Sequence, residues 1–464
     1  MFYSDKMARD LKIAYIGGGS RGWAWGFMMD LATDPQMEGR VSLYDINEEA
    51  AHHNAQIGNQ ISAHPDAVAH WKYEVAPDLR IALRGADFVV ISILPGSFDE
   101  MESDVHAPEQ YGIYQSVGDS VGPGGFMRAM RTIPMYVEFA EAIRDVCPNA
   151  WVINYTNPMT LCVRTLYEVF PQIKAFGCCH EVFGTQKLLA AMLEKECGIT
   201  GIARQDIKVN VMGINHFTWC DKATYKGEDL FPIYSRFAKE HWKSGFEFGD
   251  DNWMNSSFAF ANRIKFDLFL RYGMIAAAGD RHLAEFMPGR FYLESPEMVR
   301  TWKFGLTPVS WRKNELKERL ARSERLRSGE EKLVLKPDGE EGHLLMKALL
   351  GLGDMVSNVN IPNHGAIQNL PEGAVVEVNA LFSRQGVQPV VAGALPGNVQ
   401  ALVARHVLNQ ENTLRSALTC DKKLALTTFL NDPLVHLNWN DGEKLFNTMM
   451  HNTRAYLPEA WGFN

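Results

Sequence analysis

Four short stretches of this chain carry side chains able to hold a metal or move a proton: "VGDSVGPGG" with Asp119, "INYTNPM" with Asn157, "CCHEVFG" with Cys179, His180 and Glu181, and "GINHFTW" with His216. Thiols beside an imidazole and a carboxylate can be a metal site, a redox site or the end of a buried strand. Cys179 and His216 are too far apart in sequence for any zinc-finger spacing. Two such ligands at neighbouring strand ends could hold one divalent ion with positions open for substrate. The plainer reading is a buried cysteine and a core histidine. Further on, "AAAGDRHLAEFMPG" packs Asp280, Arg281, His282 and Glu285 behind a run of small residues. This reads as an active-site loop, or as a helix start with Asp280 as cap and Arg281 and Glu285 as an exposed i,i+4 pair.

The elements that must position these groups lie upstream. "LKIAYIGGG", "RVSLYDI", "WKYEVA", "ADFVVISIL", "AWVINYTNP" and "IKAFGCC" read as strands, with helix-like segments between several of them. That alternation predicts a Rossmann-type, doubly wound parallel α/β sheet with helices on both faces. The polar stretches then fall at strand ends, the edge at which open sheets of this kind bind ligands. "IKVNVMGINHFTW" reads as one longer strand region, and a mixed α+β part follows. Helices are expected near 256–271, 341–352 and 398–418, with strands at "MVSNVNI" and "AVVEVNALF". The run "RKNELKERLARSERLRSGEEK" alternates in charge and reads as a solvated helix. The expected division is residues 1–200 and 201–464.

"GGGSRG" places Gly17, Gly19, Ser20 and Gly22 directly after a strand, in the spacing G-x-G-x-x-G. Such glycines allow a tight turn and close approach of a pyrophosphate to a helix N-terminus. Asp45 ends the second strand, where an acid bonds the adenosine ribose and favours NAD over NADP. Pro95, in "SILPGS", belongs to a loop expected to cover the dinucleotide.

The chain has 464 residues, 46% hydrophobic and 22% charged, with a net charge of −9 and seven cysteines. The length favours two domains. The acidic balance argues against a nucleic-acid partner. No segment nears the about 18 apolar residues of a membrane span, and the first ten residues are unlike a secretory signal. An odd cysteine count in a long chain argues against a disulfide framework. A cytoplasmic protein without membrane partners is expected.

The ordered set "KIAYIGGGS", "GDSVGPGG", "INYTNPM", "GCCHEVFG", "GINHF", "GDRHLAEF" and "NLPEGAVVEVNA" resembles glycoside hydrolase family 4, the NAD-dependent glycosidases, which depart from two-carboxylate hydrolysis. The resemblance implies NAD⁺ oxidation at carbon 3 of the sugar, loss of the carbon-2 proton, elimination of the leaving group, water addition and return of the hydride. It implies Cys179 and His216 as ligands of Mn²⁺ or another divalent metal, with Cys178 left to strand packing. Asp280 occupies the position of the base, Asp119 that of an acid raising its basicity, and His180 that of the leaving-group acid. Asn157 resembles a substrate-hydroxyl contact, while Asn154 is a contact of that kind or a holder of turn backbone.

"CHEV", from Cys179, is similar to the uronide-cleaving members and most of all to α-galacturonidases. "GSFDEMESDVHAPEQYG" has no Arg or Lys, although phosphoglycosidases grip phosphate there with an arginine. The implied substrate is a small sugar or oligosaccharide carrying an α-linked uronate, and a homodimer or homotetramer is expected. Arg281, Arg290 and Arg131 are the candidates for the uronate grip, which Glu181 would oppose unless paired. The alternatives are an α-galactosidase, α-glucosidase or α-glucuronidase. An NAD-dependent dehydrogenase would share only the front half. An NAD-sensing module would need Gly17–Gly22 but not Cys179, His216 and Asp280 together.

Overall fold

The computed structural model describes residues 2–4, 6–249, 252–336 and 340–462. Six parallel strands run in the spatial order Trp71–Val75, Met37–Tyr44, Met7–Ile16, Phe88–Ile91, Trp151–Asn154 and Lys174–Gly177. This is the dinucleotide-binding order, whose direction reverses between Met7–Ile16 and Phe88–Ile91. Alternate side chains feed two separate cores. Ile13, Tyr15, Val90 and Ile153 enter one, while Ala14, Ile16, Val89 and Val152 enter the other. A sheet buried on both faces reads as unbroken apolar runs, which is why these strands were legible.

Three strands from the C-terminal part extend the same sheet. Met355–Pro362 joins antiparallel to Lys174–Gly177, with Asn360 opposite Gly177, and is followed by Val375–Ser383 and Gly386–Pro389. A second sheet is built on the hairpin of Ile207–Ile214 and Phe217–Tyr225. The single long strand expected there is therefore two strands, folded back at Asn215-His216. His216 adopts the left-handed backbone at φ 64°, a conformation that costs a side-chain-bearing residue about 1–2 kcal/mol. Strained backbone of this sort concentrates at functional sites.

The expected helix at 256–271 starts later, at Arg263–Tyr272, and the other two form at Gly342–Leu349 and Gly397–Thr419. The charged run is the helix Val309–Ser328, largely exposed but buried at Val309, Ser323 and Leu326. All seven cysteines are free. Among the described residues no helix is long and apolar enough to cross a membrane.

Candidate active site

The glycine loop sits at the reversal point. The Gly17 and Gly18 amides both donate to the Tyr44 carbonyl at 2.9 Å. Gly17 has φ 91°, and a Cβ there would lie 2.0 Å from the Ser92 carbonyl oxygen, so only glycine fits. Gly22 precedes the helix Trp23–Ala32. The Asp45 carboxylate accepts from the Gly19 amide (2.9 Å) and the Asn47 amide (2.8 Å). Asn54, missed in the sequence, holds the loop from behind: its Nδ2 donates to the carbonyls of Gly18 and Ser20 at 2.7 and 2.9 Å. Ser20 thus contributes backbone to the cradle. Pro95 lies in the loop after Phe88–Ile91, where its carbonyl accepts from Arg131 at 3.4 Å.

The "GDRHLAEF" helix, Asp280–Phe286, clasps the "VGDSVGPGG" loop. Glu285 Oε1 accepts from the amides of Val117 (2.6 Å) and Gly118 (2.9 Å), and Arg281 Nη2 donates to the Ser116 carbonyl at 2.5 Å. Arg281 also bonds Thr307 Oγ1 and the Gly305 carbonyl. Arg281 and Glu285 are both buried and do not form the exposed pair considered above. The clasp presents Asp119. Its carboxylate accepts from Ser120 Oγ at 2.7 Å and from Asn157 Nδ2 at 3.3 Å.

Ser120 Oγ also lies 2.8 Å from His216 Nδ1, and the His216 ring centroid is 3.7 Å from that of His282. Asp119, His216 and His282 offer ligand atoms that all lie within 4.8 Å of one another. Cys179 is not one of the three. It is buried nearby, at the strand end before the helix Glu181–Cys197.

Protonation suits this trio to a cation, whose ligands must be deprotonated. Burial pushes His216 down to about 3, so its imidazole is neutral at pH 7. Burial alone would raise Asp119, but the Arg128 guanidinium and the bond from Ser120 Oγ hold the carboxyl low. His282 Nδ1 is buried without a hydrogen-bond partner among the described residues. Two neutral imidazoles and a carboxylate fit a divalent transition-metal ion such as Mn²⁺. The Cys179 thiol, by contrast, is held far above its ordinary value by burial and by Glu377 and Glu181, so a cation would have to displace its proton.

Glu181 is paired rather than opposed to the site. Its Oε2 accepts from the Gly279 amide at 2.7 Å, and its Oε1 stands 3.7 Å from His282 Nε2. Asn157 Oδ1 is buried without a partner among the described residues, an acceptor suited to a sugar hydroxyl. Asn154 instead takes the turn-holding role, bonding the Thr156 backbone through both ends of its amide. Asp280 lies apart from the trio. Its Oδ1 accepts from the Lys265 amide at 3.1 Å, at the start of the helix Arg263–Tyr272, and Oδ2 is buried without a partner. Burial raises its carboxyl to about 6.

His180 stands at the mouth of the site, its Nδ1 2.9 Å from Glu340 Oε1 and its ring stacked on Trp23 at 6.0 Å. The Glu340 bond raises it to about 9. An acid with that value is protonated below pH 9 and loses its proton as the pH rises through it. The kcat/KM profile is expected to fall on the alkaline side near pH 9, and Glu340→Gln to move that limb downward. A limb that stays in place in Glu340→Gln would remove His180 from the role.

Sequence comparison agrees with this architecture. The profile of family 4 glycosyl hydrolases matches residues 12–195, and that of the family 4 C-terminal domain matches residues 211–435. The chain belongs to the family 4 glycosyl hydrolases. It is 62% identical, over 99% of both chains, to the α-galacturonidase of Thermoanaerobacterium saccharolyticum. A solved Bacillus subtilis structure, provisionally named a glucosidase, superposes with a TM-score of 0.91 at 53% identity, covering 95% of this chain and 100% of the other. A 6-phospho-α-glucosidase from gut microorganisms, solved with NAD and Mn²⁺, shares the fold at a TM-score of 0.80 and 19% identity, covering 97% of this chain and 99% of the other. His282, like Asn54, had no role assigned from the sequence. It lay inside a quoted motif, but nothing in the sequence shows which side of that short helix meets His216.

Proposed function

We propose that this chain is an NAD- and Mn²⁺-dependent α-galacturonidase that releases galacturonate from small α-linked galacturonides. The observation that carries the reading is 62% identity across 99% of both chains to an enzyme of that name. NAD⁺ would supply a hydride acceptor and Mn²⁺ a Lewis acid for the sugar oxygens.

The protein's own groups divide the remaining work. The N-terminus of Trp23–Ala32 would receive the pyrophosphate, while the amides of Gly17 to Ser20 and the Asn54 side chain keep the loop in shape. Asp45 stands ready for the adenosine ribose. Asp119, His216 and His282 would hold the ion, with the Cys179 thiolate as a further ligand. Asn157 Oδ1 accepts a sugar hydroxyl. His180 anchors Nδ1 on Glu340, which leaves the Nε2 proton for the departing glycosidic oxygen.

Asp280 is the proposed base for the carbon-2 proton. A value of about 6 gives it far more basicity than Asp119, and its Oδ2 has no hydrogen-bond partner among the described residues. Asp119, itself one of the trio, is the alternative, with the ion then held by His216, His282 and Cys179.

Activity on nitrophenyl α-galacturonide, α-glucuronide and α-galactoside, with NAD⁺ and Mn²⁺ added, tests the assignment. The galacturonide is expected to be cleaved with the highest kcat/KM, and a chelator to stop the reaction. A galactoside cleaved faster than the galacturonide would overturn the substrate assignment.

A further inference from the structure

Three of the arginines near the site are poor grips for a substrate carboxylate. Arg131 is fully buried and spends both terminal nitrogens on Asp104, at 3.0 and 2.6 Å. Arg281 gives its Nε and Nη2 to two carbonyls and the Thr307 hydroxyl. Arg290 is exposed.

The charged helix Val309–Ser328 brings in a different one. Arg312, in its first turn, has its Cζ 4.9 Å from the centre of the Phe258 ring, and Arg281 has its Cζ 5.1 Å from the same ring. Arg281 directly precedes His282 of the trio, so Arg312 lies beside the site wall. Trp311 meets Phe258 edge-on at 5.0 Å and closes the apolar side of this nook. The Arg312 Nε is buried and has no hydrogen-bond partner among the described residues. Glu315, the acid one turn on, is engaged by Arg319 at 2.8 Å.

The helix is also pinned. Lys313 bonds Asp99 and Glu102 at 2.6 and 2.5 Å, and Arg319 Nη1 bonds the Arg21 carbonyl at 2.9 Å. The helix that carries Arg312 is therefore held in place before any ligand arrives, and the guanidinium rests against Phe258.

Charge balance points the same way. Arg128, Arg281 and Arg312 all interact with Asp119, and Arg281 with Glu181 as well. Arg128 Nε donates to the neutral Asn157 carbonyl at 2.9 Å. Glu285, beside Arg281, is pushed up to about 8 by burial and is neutral at pH 7. A divalent cation on the trio adds to the positive excess. Three guanidiniums and the cation outweigh the two carboxylates Asp119 and Glu181, and a uronate adds the further anion.

We infer that Arg312 is the specificity-determining residue that grips the carboxylate of the galacturonate unit being released, through a side-on pair of N–H···O bonds from Nε and one terminal nitrogen. The inference rests on the galacturonidase reading above.

The test compares nitrophenyl α-galacturonide, whose only carboxylate is on the released sugar, with nitrophenyl α-galactoside. In Arg312→Met, kcat/KM on the galacturonide is expected to fall by about 10²-fold or more, while that on the galactoside holds or rises. Arg312→Lys keeps the charge but not the fork and is expected to recover only part of the loss. NAD⁺ and Mn²⁺ affinities should match wild type in both variants. Arg312→Gln replaces Arg312→Met if the latter does not fold.

Equal losses on both substrates, or an unchanged preference for the galacturonide, would overturn the assignment of Arg312. A wild-type enzyme that prefers the galactoside would instead overturn the galacturonidase reading, before any variant is compared.

Discussion

His216→Ala is expected to lose bound Mn²⁺ and to slow turnover by about 10²–10³-fold or more, the range seen when a group stabilising developing charge is removed. NAD⁺ affinity should change little, because the glycine loop and Asn54 form a separate cradle. Metal content after dialysis and calorimetric Mn²⁺ titration give readouts independent of activity. His282→Ala is expected to weaken the metal too, since His282 belongs to the trio with Asp119 and His216. Cys179→Ala is expected to abolish turnover, whereas Cys178→Ala should act as a mild packing change. Metal retained at wild-type affinity in both His216→Ala and His282→Ala would place the ion elsewhere.

The second large effect concerns the carbon-2 hydrogen. Elimination breaks that bond, whereas displacement at carbon 1 leaves it intact. Hydrolysis in heavy water is therefore expected to leave deuterium at carbon 2 of the released sugar. Asp280→Asn preserves size and the bond from the Lys265 amide's neighbourhood only in part, but it removes the basic oxygen. It should lose several orders of magnitude in rate, of which acid–base assistance alone accounts for about 10²–10⁴-fold, while still binding NAD⁺ and metal. Product without deuterium rules out the elimination route. A fully active Asp280→Asn keeps the route and transfers the base role to Asp119.

What the sequence revealed depended on whether a signal was local. The glycine loop is contiguous, and its strand and helix flank it directly, so its chemistry could be read from a few residues. The parallel strands announced themselves as apolar runs because both faces are buried. The turn at Asn215-His216 did not, since the residue with left-handed backbone is a histidine rather than the glycine such a turn usually shows. The alternating charges of Val309–Ser328 correctly indicated an exposed helix, but not that its first turn would set Arg312 against Phe258. Asp280 and His282 are two residues apart on one short helix. Their sequence positions could not tell which would meet His216 and which would turn to Lys265.

The strand Lys174–Gly177 acquires its outer neighbour only from Met355–Pro362, far along the chain. During synthesis the ribosome must therefore deliver well over a hundred further residues before that edge can be covered. At ordinary elongation rates this takes on the order of ten seconds or longer. Throughout that interval the half-built sheet presents unpaired amides and carbonyls to any passing strand, the situation that invites intermolecular pairing. The nascent chain thus has a window of vulnerability set by strand order, and chaperone demand should peak there rather than after release.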